Sequence, residues 1–328
     1  MTHDVAIVGA GLSGLAAAAA LRSAGKSFVI FDKGRAVGGR LATRRIGEAV
    51  FDHGAQFFTV RDRTFEQAVS GWESAGIVKL WSHGFPGPDS ADSDGHPRYF
   101  CPRGMTAIAK HLTASLPAQS ILVDHKVHRM QRANDLWAIE VENSGAWHAR
   151  SLIVTVPAPQ APALFVDPAI STSLQGIADR LSFDPCLALM VIVDAADAER
   201  CFPPPAGRRF DGQVLSWGAD NHGKGISPVT GAVTLHASPS FSRQHYESSP
   251  EEVARTMLRA AGLHDGIAAR IAADATKWQL KKWRYAIPAQ PMSERFFEFA
   301  PAARICGDAF GGPRIEGAWL SGTAAASF

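Results

Sequence analysis

Apolar positions along this chain follow two rhythms, one of strands and one of helices. Val5-Ala6-Ile7-Val8 is a short, largely β-branched run that enters Gly9-Ala10-Gly11-Leu12-Ser13-Gly14. An alanine-rich stretch over 15–24 reads as helix, and Phe28-Val29-Ile30-Phe31 reads as a second strand ending in Asp32. Asp62 is placed to cap a helix over 62–75, whose apolar positions Phe65, Ala68, Val69 and Trp72 recur at helical spacing. Residues 84–97, dense in Pro, Gly, Ser and Asp, read as a loop or hairpin tip. A strand over 98–101 precedes a helix opened by Pro102-Arg103-Gly104-Met105, with Ile108, Leu112 and Leu116 as its stripe.

The segments 120–123, 126–131, 137–141 and 147–148 look like a small meander. The fully apolar Ser151-Leu152-Ile153-Val154-Thr155-Val156 suits a buried strand returning to a parallel sheet. Pro157, Pro159 and Pro162 then mark a change of style. Strands are expected over 187–193, 213–218, 232–237 and 277–286, with helices over 250–261 and 266–273. Together they suggest an antiparallel sheet with helical cover. A last strand, Ala303-Arg304-Ile305-Cys306, leads through Gly307-Asp308 and the turn Gly311-Gly312-Pro313-Arg314 into a closing helix.

Strand, glycine turn, helix, strand and acid stand in the order of a dinucleotide site. Gly9 permits the tight turn, Gly11 lets the backbone approach a pyrophosphate, and Gly14 lets the helix pack close to the strand. The free N–H groups and dipole of the helix attract phosphate. Asp32 would accept hydrogen bonds from a ribose. Beyond Lys33, Gly38-Gly39-Arg40 suits a second pass beside the same pyrophosphate, since arginine pairs bidentately with phosphate; by itself Arg40 would sooner be read as a solvated turn residue. His53-Gly54-Ala55-Gln56-Phe57-Phe58-Thr59 suits a loop against a flat ring, or an aromatic pair filling core. The closing helix would aim its dipole at a flavin's pyrimidine edge. Asp308 would hold the ribityl or pyrophosphate region, or simply cap the helix.

Composition narrows this little. The chain has 328 residues, long enough for about two domains. Its formal charge of +2 provides no basic field for nucleic acid. The four cysteines, Cys101, Cys186, Cys201 and Cys306, form no CxxC, which argues against a zinc site and for a reducing compartment. No signal peptide or membrane span is expected, so the expectation is a soluble cytoplasmic protein without membrane or nucleic-acid partners.

Four separated pieces agree: Gly9 to Gly14 with Asp32, Gly38-Gly39-Arg40, Asp52 to Thr59, and Gly307-Asp308 with Arg314 to Gly322. Together they resemble the FAD-containing amine-oxidase superfamily. More narrowly the chain is similar to bacterial renalases, through Gly54-Ala55-Gln56-Phe57-Phe58-Thr59 with Arg61-Asp62, Pro102-Arg103-Gly104-Met105-Thr106, Leu235-His236-Ala237, Trp283-Arg284-Tyr285-Ala286 and the closing helix. The resemblance implies an α/β fold: a Rossmann-type FAD domain from 1–60, 101–157 and 300–328, and an α+β substrate domain from 61–100 and 158–299. It implies non-covalent FAD and no metal. The cofactor contacts it implies are Gly9, Ala10, Gly11, Leu12, Ser13, Gly14, Asp32, Lys33, Gly39, Arg40, Ala55, Gln56, Phe57, Val127, Thr155, Gly307, Asp308, Glu316, Gly317 and Ala318. Phe58, Thr59, Arg61, His236, Trp283 and Tyr285 would line the substrate cavity, although His236 would equally serve as a hydrogen-bonded strand histidine.

Renalase-like enzymes oxidise the 2- and 6-dihydro isomers of NAD(P)H to NAD(P)+ and pass the electrons to O2, making hydrogen peroxide. A dihydropyridine already carries a transferable hydride, so orientation over flavin N5 suffices and no catalytic dyad is needed. An amine oxidase would instead want an aromatic cage and often a lysine near N5. Lys277, Lys281 and Lys282 are the candidates. Strand alternation puts Lys281 on the face of Trp283 and Tyr285, and Lys282 on that of Trp278 and Arg284. A third possibility, a non-catalytic binding protein on this fold, is opposed by the intact phosphate motifs.

Overall fold

A computed structural model describes residues 2–88, 95–312 and 314–328, so part of the expected 84–97 loop and Pro313 of the Gly311–Arg314 turn lie outside the described residues. The strand Thr2–Val8 runs parallel to Phe28–Asp32 on one side and to Gly145–Val154 on the other. Ile121–Val123 extends the sheet beyond Phe28–Asp32. Ala303–Cys306 extends it beyond Gly145–Val154, and Phe296–Ala300 closes that edge antiparallel. With Val127–Ala133 and Leu136–Val141 this makes eight strands.

Alternation explains why the sheet is covered on both faces. Val5, Ile7, Ile30 and Ile153 point to a core built with the helices Leu12–Ser23, Arg63–Ser74, Thr106–Ala114 and Arg314–Ala325. Ala6, Val8, Val29, Phe31, Leu152 and Val154 point to the opposite core, filled by Met130, Trp137 and Ile139 of the meander and by Ile170, Leu174 and Ile177 of the helix Pro168–Asp179. The second sheet is wholly antiparallel, in the order Gly207–Arg209, Leu215–Asp220, Ala232–Ala237, Phe183–Ile192, Trp278–Pro288. The helices Pro250–Ala260 and Asp265–Ala273 bury Val253, Met257, Leu258 and Ile271 against it.

The α/β class and the Asp62 cap agree with expectation. The Asp62 carboxylate accepts from Thr64 N at 2.8 Å and Phe65 N at 3.3 Å. Other details differ. The segments 147–148 and 151–156 are one strand, Gly145–Val154, whose first half pairs with the meander and whose second half enters the parallel sheet. Ile121–Val123 belongs to the parallel sheet, not to the meander. The helix Arg63–Ser74, expected from its apolar spacing, and the helix Pro168–Asp179, which the sequence reading did not include, bury their apolar faces in the two cores of the eight-stranded sheet.

Candidate functional site

The first glycine turn is held by its neighbours. Gly9 has φ +112°, and a Cβ there would collide with the Thr155 hydroxyl. That hydroxyl donates to the Val8 and Gly9 carbonyls, each at 3.1 Å, so Thr155 buttresses the turn. A Cβ on Gly14 would collide with the Gly9 carbonyl. Gly11 is different. Its φ of −72° suits any residue, and a Cβ there would meet nothing within 4 Å. Nothing in the chain demands glycine at Gly11, yet open space lies above it. No side chain caps the helix that starts there, so its first amides keep their donors for a ligand.

Gly38 N donates to Ala10 O at 2.8 Å, and a Cβ on Gly39 would approach Gly11 Cα to 3.4 Å. The second glycine pair therefore lies directly on the first turn. The Asp32 carboxylate accepts from Ala10 N and Gly34 N, both at 2.6 Å. Each oxygen has a further lone pair, the one a ribose hydroxyl would use. Lys33 reaches Gln160 Oε1 at 3.2 Å. Val127 is buried just beyond His125, whose amide donates to Asp32 O at 2.8 Å.

Arg40 and Asp308 were each expected to face a cofactor. They pair with each other through two parallel bonds of 2.6 Å, and Arg40 Nη1 also donates to the Tyr285 and Ala286 carbonyls at 3.3 and 3.2 Å. A Cβ on Gly54 would collide with the Arg40 carbonyl, which accepts from Ala55 N at 2.9 Å. Four distant segments thus meet at Arg40.

The closing helix Arg314–Ala325 is pressed into the same place. A Cβ on Gly317 would collide with the Gly312 carbonyl, and one on Gly322 with the carbonyl of Ser13. Gly307 N donates to Ser321 Oγ at 2.9 Å. Ala318 packs against the helical core. Glu316, expected at the cofactor, accepts from Arg61 N at 2.8 Å and Asp62 N at 2.9 Å.

Where the hairpin of Thr43–Ile46 and Ala49–Asp52 meets the antiparallel sheet lies a charged network that sequence reasoning missed. Lys224 Nζ and Asp52 Oδ2 are 2.9 Å apart, with both side chains at 0% exposure. Lys224 also donates to Gln56 O at 2.7 Å and sits 4.7 Å from the centre of the Trp81 ring. Asp52 Oδ1 accepts from Thr43 Oγ1 at 2.6 Å and Met105 N at 2.8 Å, and the Asp52 carbonyl accepts from Gln56 Nε2 at 2.6 Å. Gln56 Oε1 is buried without a hydrogen-bond partner among the described residues. The only sequence signal for Lys224 was a lysine between two glycines after a strand, which is weak.

His53, Trp283 and His236 adjoin this network. The His53 and Trp283 rings stack at 5.4 Å and 18°, Trp283 Nε1 donates to His53 O at 2.9 Å, and Lys281 Nζ lies 5.0 Å from the Trp283 ring centre. Burial, then the charges of Arg44, His236 and Lys281, lowers the His53 pKa to about 3. Burial brings His236 down to about 4 although a hydrogen bond to the His53 backbone acts the other way. Both imidazoles are neutral at pH 7. His53 Nδ1 and His236 Nε2 are buried without partners among the described residues.

The other expected substrate residues scatter. Phe58 joins the helical core, 5.6 Å from Tyr99 and 5.8 Å from Phe65, because its backbone pairs with Tyr99 and turns the ring inward. Phe57 points the other way into a cluster with Trp81, Phe85 and Trp217. Thr59 is half-buried and Arg61 exposed. Tyr285 stands edge-on to Phe183 at 5.7 Å. Of the lysines, Lys277 is exposed and Lys282 donates to the Tyr246 carbonyl. Among the described residues no cluster of His, Cys, Asp and Glu suits a metal, and no helix is long and apolar enough to cross a membrane.

Two family models match the chain: an NAD(P)-binding Rossmann-like domain over residues 7–69, and the flavin containing amine oxidoreductases over residues 62–327. Among solved structures, putrescine oxidase with bound putrescine aligns at a TM-score of 0.74 and 15% identity, covering 100% of this chain and 98% of that one. Cyclohexylamine oxidase from Brevibacterium oxydans IH-35A aligns at 0.72 and 15%, covering 100% and 98%. A putative protoporphyrinogen oxidase from Exiguobacterium sp. 255-15 aligns at 0.72 and 13%, covering 99% and 98%. At these identities the likeness to solved structures shows the fold.

Proposed function

The chain belongs to the flavin-containing amine oxidoreductases, and from that premise we propose that this FAD-dependent oxidoreductase is a renalase-like oxidase of 2- and 6-dihydropyridine nucleotides. The observation that carries the reading is the neutral, stacked pair His53–Trp283. Its imidazole has no basicity near pH 7 to hold an amine or take its proton, and the indole is already taken by His53 and Lys281 rather than open as a cage wall. A hydride donor that becomes aromatic on oxidation needs neither.

The residues fit the cofactor. The open space above Gly11 and the uncapped amides of Leu12–Ser23 suit the pyrophosphate, Asp32 suits the ribose, and the buried free acceptor Gln56 Oε1 suits a ring N–H. When bound, FAD would supply the hydride acceptor and a route for the electron pair to O2. The chain's own part is to hold and exclude. Lys224 and Asp52 fix the Asp52–Gln56 loop. Arg40 and Asp308 hold the Gly54–Ala55 loop and the Gly307–Asp308 turn to the strand Trp278–Pro288. No linkage to FAD is needed: Cys101, Cys186 and Cys306 are buried thiols pushed up to about 12 by burial, far from thiolate. Four free, buried cysteines also suit the reducing cytoplasm.

Anaerobic stopped-flow mixing of the holoenzyme with 6-dihydro-NAD tests this. Rapid bleaching of the flavin is expected. A flavin that stays oxidised with dihydropyridines, yet is bleached by a primary amine, would replace this reading with amine oxidation.

A further inference from the structure

Three buried polar atoms without partners among the described residues belong to one place: His53 Nδ1, Gln56 Oε1 and His236 Nε2. Hydrogen bonds gather them. Thr234 Oγ1 donates to the Asp52 carbonyl at 3.0 Å, which lays the start of the 53–56 loop on the face of the strand Ala232–Ala237 that Thr234 shares with His236. From the strand Trp278–Pro288, Trp283 Nε1 donates to the His53 carbonyl at 2.9 Å, and its ring stacks on the His53 imidazole. His236 is itself bonded to the His53 backbone. His53 is only 6% exposed.

A neutral imidazole carries one N–H and one lone pair. Both rings are neutral at pH 7. His236 Nε2 has no partner, so the bond to the His53 backbone uses Nδ1–H, and Nε2 keeps a bare lone pair. Nothing bonds to His53 Nδ1, which is free to carry that ring's N–H. A buried donor and a buried acceptor left unpaired destabilise the fold, and a ligand group offering both complements at once relieves them. A primary carboxamide has a carbonyl for the donor and an N–H for the acceptor. A carboxylate does not fit, because it turns an anionic oxygen towards the Nε2 lone pair.

We propose that His53 and His236 form the subsite for the carboxamide of the substrate's pyridine ring, with His53 Nδ1 donating to its carbonyl and His236 Nε2 accepting from its N–H. The inference rests on the nucleotide reading above and deepens it. Gln56, three residues beyond His53, is the acceptor that suits the flavin ring, so one loop holds cofactor and substrate side by side.

The holoenzyme, with its flavin oxidised, is titrated with nicotinamide mononucleotide and with nicotinate mononucleotide, which differ only in carboxamide against carboxylate. Binding is read from the flavin absorbance. The amide is expected to bind at least roughly tenfold more tightly. H236L removes the acceptor, and H53F removes the donor while keeping a ring on Trp283. In each, the ratio should fall towards one. H236Q, whose amide oxygen restores an acceptor, should recover part of it. The same preference is expected in the rate of flavin bleaching by the 6-dihydro forms of the two nucleotides. A purely structural role for either histidine would leave the ratio unmoved. Equal binding of the two nucleotides by the unaltered enzyme, no binding of the amide, or a ratio that persists in both H236L and H53F overturns the subsite. If 6-dihydro-NAD bleaches the flavin and the ratio is one, the subsite alone fails. If no dihydropyridine bleaches it, the nucleotide reading fails and the subsite with it.

Discussion

Two junctions join distant parts of this chain, and they are built oppositely. Where the first and last helices cross, Gly322 lies on the Ser13 carbonyl, so backbone meets backbone because a side chain is missing. Where the hairpin ending at Asp52 meets the turn after Leu215–Asp220, Lys224 and Asp52, 172 residues apart, join because charged side chains are present and fully buried. The first junction tolerates no added atom. The second tolerates no lost partner. A protein can therefore be equally committed at two places and fail there for unrelated reasons.

Substitution separates the two. At the crossing, G322V would drive its Cβ into Ser13 backbone with nothing flexible to yield, and a loss of several kcal/mol is expected, on the order of 4 or more. Little folded flavoprotein should be recovered, as read from yield and flavin absorbance. A normal thermal transition for G322V would remove one side of the contrast. At the ion pair, K224M leaves the Asp52 charge buried alone, which costs about 3–5 kcal/mol. Restoring neutrality in D52N/K224M should return a large part of it in urea unfolding. If the double variant is no better than the single one, packing rather than charge holds that junction.

Acid gives a graded test of the ion-pair side. The folded pKa values of His53 and His236, about 3 and about 4, lie below the ordinary 6.5. The unfolded chain thus binds protons that the native state refuses. Stability is fully present above pH 6.5 and falls as pH drops towards the folded values, by about 1.4 kcal/mol per unit for each histidine. H236N should flatten the slope of unfolding free energy against pH, and an unchanged slope would show that other groups carry it. The mildest change sharpens the glycine side: G11A meets no protein atom, so the apoprotein should hold its stability to within about 1 kcal/mol. FAD affinity, measured by fluorescence titration, should nevertheless fall at least roughly tenfold.

This contrast also divides what could be read from the sequence. The glycine turn, the acid after the second strand and the closing helix were legible because their physics is local: a turn needs φ above zero, a helix start leaves amides free, and spacing records both. The same logic found the Asp62 cap and the strand Ala232–Ala237. Lys224 was not legible, since its importance comes from Asp52 across the fold. Arg40 and Asp308 were each readable as ligand contacts, while their pairing was not. Phe57 and Phe58 show the limit of composition: both looked fit to face a ring, and the backbone bridge of Phe58 to Tyr99 sends Phe58 into the helical core and Phe57 into the cluster of Trp81, Phe85 and Trp217. The helix Pro168–Asp179 was missed for a related reason: its sequence lies just beyond the prolines that suggested a boundary, yet it caps the core they were thought to leave.

The apposition of Ser13 and Gly322 bears on how the polypeptide acquires its form during translation. The glycine turn over 9–14 is made well before the helix that packs on it and the strand Ala303–Cys306 beside Gly145–Val154, which follow it by some 290 residues or more. Until then one face of the helix Leu12–Ser23 lacks its lid, and the nascent sheet has an open edge. Flavin capture thus waits for residues 303–325, and ribosome-stalled chains ending before residue 300 should emerge colourless.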